Sequence, residues 1–74
     1  MILILRNRKK ELVAKDMLDI NWDMTTHRRG HKYIVQVDKR HTLDETFPTK
    51  ELAEAKMIEL ADKYNEIEAE LRYY

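Results

Sequence analysis

The chain has no cysteine and no serine, and only one glycine, one proline and one tryptophan among its 74 residues. Without cysteine there is neither a disulfide framework nor a thiolate metal site, a composition that fits a reducing compartment, and the cytoplasm is the expected location. Without serine or cysteine, and with no threonine visibly paired to a base and an orienting acid, nucleophilic catalysis has little to draw on. A lone glycine excludes a glycine-rich phosphate loop. Long apolar runs are missing too. The opening Met1-Ile2-Leu3-Ile4-Leu5 is shorter than the roughly 7–15 residues of a signal-peptide core, and nothing later approaches the about 18 needed to span a bilayer. The chain therefore reads as soluble and unprocessed, with no membrane partner. Residues 1–74 are expected to form a single domain with a thin core, since a chain this short buries only about 60% of the surface it exposes when unfolded.

Charge is present in both signs and unevenly placed. The formal total is zero, yet residues 1–41 carry 10 Lys and Arg against 5 Asp and Glu, and residues 42–74 carry 4 against 9. Two outcomes follow from that asymmetry. Either the halves neutralise each other on folding, or the basic half is left to meet an anionic partner.

Residues 2–5 are apolar at consecutive positions, as in a central strand covered on both faces. In the stretch NRKKELVAKDMLDIN, Val13, Met17 and Ile20 recur at helical spacing, and this favours a helix over residues 8–19. Against it, Arg8, Lys9 and Lys10 would sit in a first turn whose dipole disfavours cations. The rival is a hairpin back onto the first strand.

From Asn21 the period becomes two. A three-residue loop of Arg28, Arg29 and Gly30 would mix polar with apolar side chains on both faces. An even loop, either Arg29-Gly30 or residues 28–31, pairs Trp22 with Val37, Met24 with Val35 and Thr26 with Tyr33. One face is then apolar, and the other carries Asp23, Thr25, His27, Lys32 and Gln36, with Ile34 as its one apolar member. Burial selects the even register because a one-residue slip turns every side chain over. Gly30 supplies the positive φ of a tight turn. Residues 43–47 form a short third strand that Pro48 ends, and Thr49 is placed to cap a helix running to about Arg72. Ala53, Met57, Leu60, Tyr64, Ile67 and Leu71 make an a/d seam along that helix, and Ile58 lies about 140° from the seam's centre. The fold class is α+β: a small, mainly antiparallel sheet in the order β-α-β-β-β-α, packed against a long C-terminal helix.

Residues 27–41 hold all three histidines and five cations. In the even register His27 faces outward and His31 sits at the loop, so they do not converge, and Arg28, Arg29 and Lys32 beside them repel a cation. No metal and no cofactor is expected, because zinc needs three or four convergent ligands. Metal-independent RNA cleavage by general acid and base remains open in composition, through His27, His31, His41, Tyr33 and the neighbouring cations. Phosphate contact is the more economical use of these residues. Arg28 and Arg29 at a hairpin tip, His27 and Lys32 along its outward face, and Lys39 and Arg40 at its far end place cations along one sheet.

The strand pair followed by a short strand and the segment FPTKELAEAKMIEL resembles the arm-type DNA-binding domain of phage integrases. There a three-stranded sheet meets a helix that begins after an F-x-T-K-x-x-A-E-A pattern. The resemblance covers residues 22 to about 60. It implies DNA as partner, a sheet entering the major groove, and contacts from Thr25, His27, Lys32, Ile34 and Gln36. The acidic Leu43-Asp44-Glu45, the N-terminal strand and the length of the last helix depart from the family's pattern.

The expected function is thus a small, non-enzymatic regulatory or accessory module of phage type, binding DNA or RNA through the basic hairpin. The alternative is a protein-only adaptor or inhibitor that uses the helix seam or a sheet edge. Ile58, Tyr64, Ile67 and Leu71 then form the partner interface, including a two-fold antiparallel homodimer.

Overall fold

The computed structural model describes residues 1–72. Its elements are β1 (Ile2–Arg6), β2 (Leu12–Asp16), a single 3-10 turn (Met17–Asp19), β3 (Thr25–Arg29), β4 (Lys32–Gln36), β5 (Thr42–Phe47) and α1 (Lys50–Arg72). The five strands form one sheet in the order β2-β1-β5-β4-β3, and every neighbouring pair is antiparallel. The class is α+β.

The segment expected as a helix is instead the second arm of a hairpin. Asn7 nucleates it: its Oδ1 accepts from the backbone N of Lys9 at 2.9 Å and of Glu11 at 3.0 Å, while its carbonyl accepts from Lys10 N at 2.9 Å. Lys10 takes the left-handed conformation, φ 64°. With the turn closed, residues 12–16 pair with the full length of β1. The central position of β1 is as expected, but the double coverage is not. Leu3 and Leu5 are buried, whereas Ile2 and Ile4 on the other face are 59% and 50% exposed.

The β3–β4 hairpin turns on Gly30 and His31, with Arg29 opposite Lys32, Arg28 opposite Tyr33 and Thr26 opposite Val35. The loop is even, as burial demanded, but the pairing is shifted by two residues from the expected one. A shift of two keeps every side chain on its face. Gly30 holds φ +60° at the first central position, as a type II′ turn requires.

One face of the sheet is covered. Leu3, Leu5, Val35, Val37, Leu43 and Phe47 point into a core completed by Met17, Ile20, Ala53 and Leu60, with Trp22, Met24, Tyr33, Met57, Tyr64 and Ile67 packed around it. Helix α1 lies over β3, β4 and β5. The β1–β2 side is closed by residues 17–24, which run from one sheet edge to the other, bury Met17 and Ile20, and are pinned where Trp22 Nε1 donates to Met17 O at 2.9 Å. Thr49 caps the helix, its Oγ1 accepting from Leu52 N at 3.3 Å. Among the described residues no helix is long and apolar enough to cross a membrane.

Candidate nucleic-acid interface

The alternation that buries one face of the sheet leaves the other without a covering element. From β3 it presents Thr25, His27 and Arg29, from β4 Lys32, Ile34 and Gln36, and from β5 Thr42, Asp44 and Thr46. Thr25 Oγ1 lies 3.0 Å from His27 Nε2, as two same-face side chains two residues apart should. Ile34, between His27 of β3 and Thr46 of β5, is only 9% exposed. Its strand neighbours shelter it where no helix does.

Charge on this face is incompletely neutralised. Arg6 Nε bonds Asp44 Oδ1 at 2.8 Å, which removes one cation and one anion. Arg29 and Lys32 face each other across the hairpin end, and among the described residues their side chains make no hydrogen bond or ion pair. The acids of the C-terminal half do not reach them. Four of the helix's own cations, Lys50, Lys56, Lys63 and Arg72, pair with helix acids Glu54, Glu59, Glu66 and Glu68. The one ion pair between helix and sheet among the described residues, Lys56 with Glu45 at 4.0 Å, has the cation on the helix. Internal neutralisation of the basic half is thus small.

The expected site residues divide between two ends and two faces. His27, Arg29 and Lys32 share the uncovered face. Arg28, opposite Tyr33, is on the helix side, and its Nε donates to Gly30 O at 3.0 Å. Lys39 and Arg40 lie at the opposite end of the sheet, in the turn between β4 and β5. Asp38 organises that turn: its Oδ1 accepts from the backbone N of Arg40 and of His41, both at 2.7 Å, and His41 Nδ1 lies 3.0 Å from the carboxylate. Burial pushes the Asp38 carboxyl up, but the hydrogen bonds from Arg40 and His41 and the attraction of His41 outweigh it and hold it below its ordinary value.

The second turn at this end was missed in the sequence. The β1–β2 turn places Arg8 beside the β4–β5 turn, with Arg8 Nη2 3.4 Å from Lys39 O. The signal that pointed to it was the conflict of Arg8, Lys9 and Lys10 with a helix N-terminus, together with an asparagine just before them. The histidines stay apart: His27 on the sheet face, His31 in the hairpin turn and His41 at the far end. Among the described residues no three His, Asp or Glu side chains are grouped to hold a metal, and no pair of histidines is brought together for acid–base chemistry.

Of the residues expected at a partner interface, Tyr64 and Ile67 pack against the core. The Tyr64 ring meets Trp22 edge-on with centroids 6.0 Å apart. Ile58 and Leu71 are exposed, 64% and 58%, but thirteen residues of helix set them about 140° apart around its axis, so they do not form one surface. Compared with known protein-family models, curated proteins and solved structures, the chain has no significant match.

Proposed function

We propose that the protein is a non-enzymatic nucleic-acid-binding module that meets a duplex with the uncovered face of β3 and β4. The observation that carries the reading is the separation of charge: Arg29 and Lys32 stand unpaired on a helix-free face, while the acidic helix is on the other side of the sheet. Thr25, His27 and Gln36 share that face and supply hydroxyl, imidazole and amide groups able to bond base edges. No Phe, Tyr or Trp side chain projects from this face of β3–β5, which argues against a single-strand binder that stacks bases. The strand order β3-β4-β5 followed by α1 is the order that the integrase arm-type resemblance implies.

The two extra strands constrain how such a sheet docks. Five strands span roughly 19 Å at about 4.8 Å per spacing, more than the about 12 Å of a B-DNA major groove. The sheet does not enter the groove as a body. Its edge ribbon β3–β4 faces the bases, and the rest lies over the flanking backbone.

The test is fluorescence anisotropy with generic duplex DNA and duplex RNA across a salt series. Arg29→Ala with Lys32→Ala is expected to weaken binding and flatten its salt dependence by about 0.9 in slope for each lost phosphate contact. Arg28→Ala, on the helix side, serves as the internal control with a smaller effect. Equal losses from both faces would defeat the assignment to the uncovered face.

A further inference from the structure

The end of the sheet remote from the β3–β4 turn holds the larger group of cations, and the hairpin contact leaves it without a role. Arg8, Lys9 and Lys10 come from the β1–β2 turn, and Lys39 and Arg40 from the β4–β5 turn. Some thirty residues apart in sequence, the turns are joined by the Arg8 Nη2 bond to Lys39 O at 3.4 Å. Between them lies a groove of ≈ 350 Å³ lined by Asn7, Arg8, Lys9, Glu11, Arg40 and His41.

We propose that these two turns form a second phosphate-binding site, in which Arg8, Lys9, Lys39 and Arg40 grip the backbone of the duplex that β3 and β4 face. This rests on the nucleic-acid reading above. The first argument is electrostatic. Among the described residues none of these four side chains, nor Lys10, is in an ion pair. Three acids lie nearby: Glu11 Oε1 is with Asn7 Nδ2 at 3.5 Å, Asp38 is with the Arg40 and His41 backbone and the His41 ring, and Asp23 lines the adjoining groove with Lys39 and Arg40. Five cations against these three acids leave this end of the sheet net positive, so an anion entering the groove is attracted.

The second argument is preorganisation. Each turn is closed by one side chain, Asn7 or Asp38, that accepts two backbone N–H groups, so the cations project from fixed backbones and lose less freedom on binding. Lys10 holds a left-handed φ of 64° where glycine or asparagine is the natural occupant. The third argument is position. Four residue steps of β4 put roughly 14 Å between Lys32 and Gln36, and the turn lies beyond Gln36. The groove-facing contact runs from Arg29 and Lys32 to Thr25 and Gln36, and the turn cations continue past its far end. A sheet too wide to enter the groove lays its far turns over the flanking phosphates.

The test compares the full chain with three variants in salt-dependent anisotropy on one duplex, each checked by thermal melting. Removing the turn cations (Arg8→Ala, Lys9→Ala and Arg40→Ala together) is expected to lower affinity at physiological salt and flatten the salt slope by up to about 2.7, from about 0.9 per contact. The double variant Lys9→Gln with Arg40→Gln leaves the Arg8–Lys39 link in place and is expected to lose up to about 1.8, so a folding defect in the triple cannot decide the matter. The third variant is the Arg29→Ala, Lys32→Ala pair. If that pair weakens binding while both turn variants keep the wild-type slope, the second site is refuted and the hairpin reading stands. If only the turn variants weaken binding, the turns are a phosphate site and the hairpin reading falls. A wild type that binds no duplex, or whose turn cations bind phosphatidylserine vesicles instead, overturns the proposal.

Discussion

Asp38 should be the most costly exposed-end residue to remove. Its carboxylate is the shared acceptor of two backbone N–H groups at 2.7 Å and the neighbour of the His41 ring at 3.0 Å, with both side chains only 13% exposed. Hydrogen bonds to a charged acceptor contribute about 1.5–3 kcal/mol, and the donors left behind at a partly covered turn add a desolvation cost. Asp38→Ala is therefore expected to lose about 2–3 kcal/mol, which for a domain of this size lowers the melting temperature by roughly 10–20 °C. Urea and thermal unfolding followed by circular dichroism give both quantities. The pH dependence has a definite sign. Because the folded carboxyl titrates below its ordinary 3.8, the ionised form contributes stability that is fully present above that value and is lost as pH falls through the depressed one. The wild-type advantage over Asp38→Ala should narrow in that acid window, whereas Asp38→Asn, which keeps an acceptor oxygen and no charge, should show no such change against Ala. A loss under about 0.5 kcal/mol, the range of an ordinary surface substitution, would mean that the turn is held by something other than this side chain.

Two further substitutions probe local structure. Lys10→Gly relieves a left-handed lysine and should raise the urea midpoint by about 1 kcal/mol equivalent; a fall would show that the lysine side chain stabilises its own turn. Ile67→Lys puts a charge where the helix seam meets the core and is expected to cost about 1–3 kcal/mol without changing the sedimentation coefficient of the folded protein. Unchanged stability with a shifted sedimentation coefficient would instead place the seam between two chains.

Much of the fold was readable because two periodicities are clean. The alternation of Trp22, Met24, Tyr33, Val35 and Val37 specifies a buried face whichever even loop closes the hairpin. That is why the faces were correct while the pairing was two residues out: parity is set by burial, but choosing between even registers is left to turn chemistry, here Gly30 at the first turn position rather than the second. Thr49 and the seam from Ala53 to Ile67 located the helix by the same logic. Residues 8–19 were misread because Val13, Met17 and Ile20 imitate a helical stripe. In the fold Val13 belongs to a strand, and Met17 and Ile20 to the crossover that closes the β1 side of the core. Their spacing does not distinguish them from a helix face, and the one local signal against a helix was Asn7 followed by three cations; the partner is β1, and its need for a strand on each edge is a tertiary fact. The same misreading hid the β1–β2 turn cations from the candidate site. Arg28 was grouped with Arg29 because the expected loop put both at the hairpin tip; in the fold both belong to β3, where adjacent residues point to opposite faces.

A formal charge of zero conceals the feature with most bearing on binding. Helix α1 carries four cations and seven acids, and its cations pair with its own acids, so it keeps a net negative charge without drawing on the sheet. Sheet and turns keep their excess cations for the same reason. Had the halves neutralised each other, ion pairs would cross from α1 acids to sheet cations; the pair that does cross runs the other way, from Lys56 to Glu45. Helix α1 is consequently net negative, and residues 1–49 are net positive, with ten Lys and Arg against seven Asp and Glu. In the proposed binding mode the duplex backbone, with a charge about every 1.7 Å, is attracted to the net-positive part of the molecule and repelled by the helix. On that proposal, orientation is set before any base is read. Raising salt should remove this bias along with affinity, so any preference between sequences that persists at high salt must come from Thr25, His27 and Gln36 rather than from the cations around them.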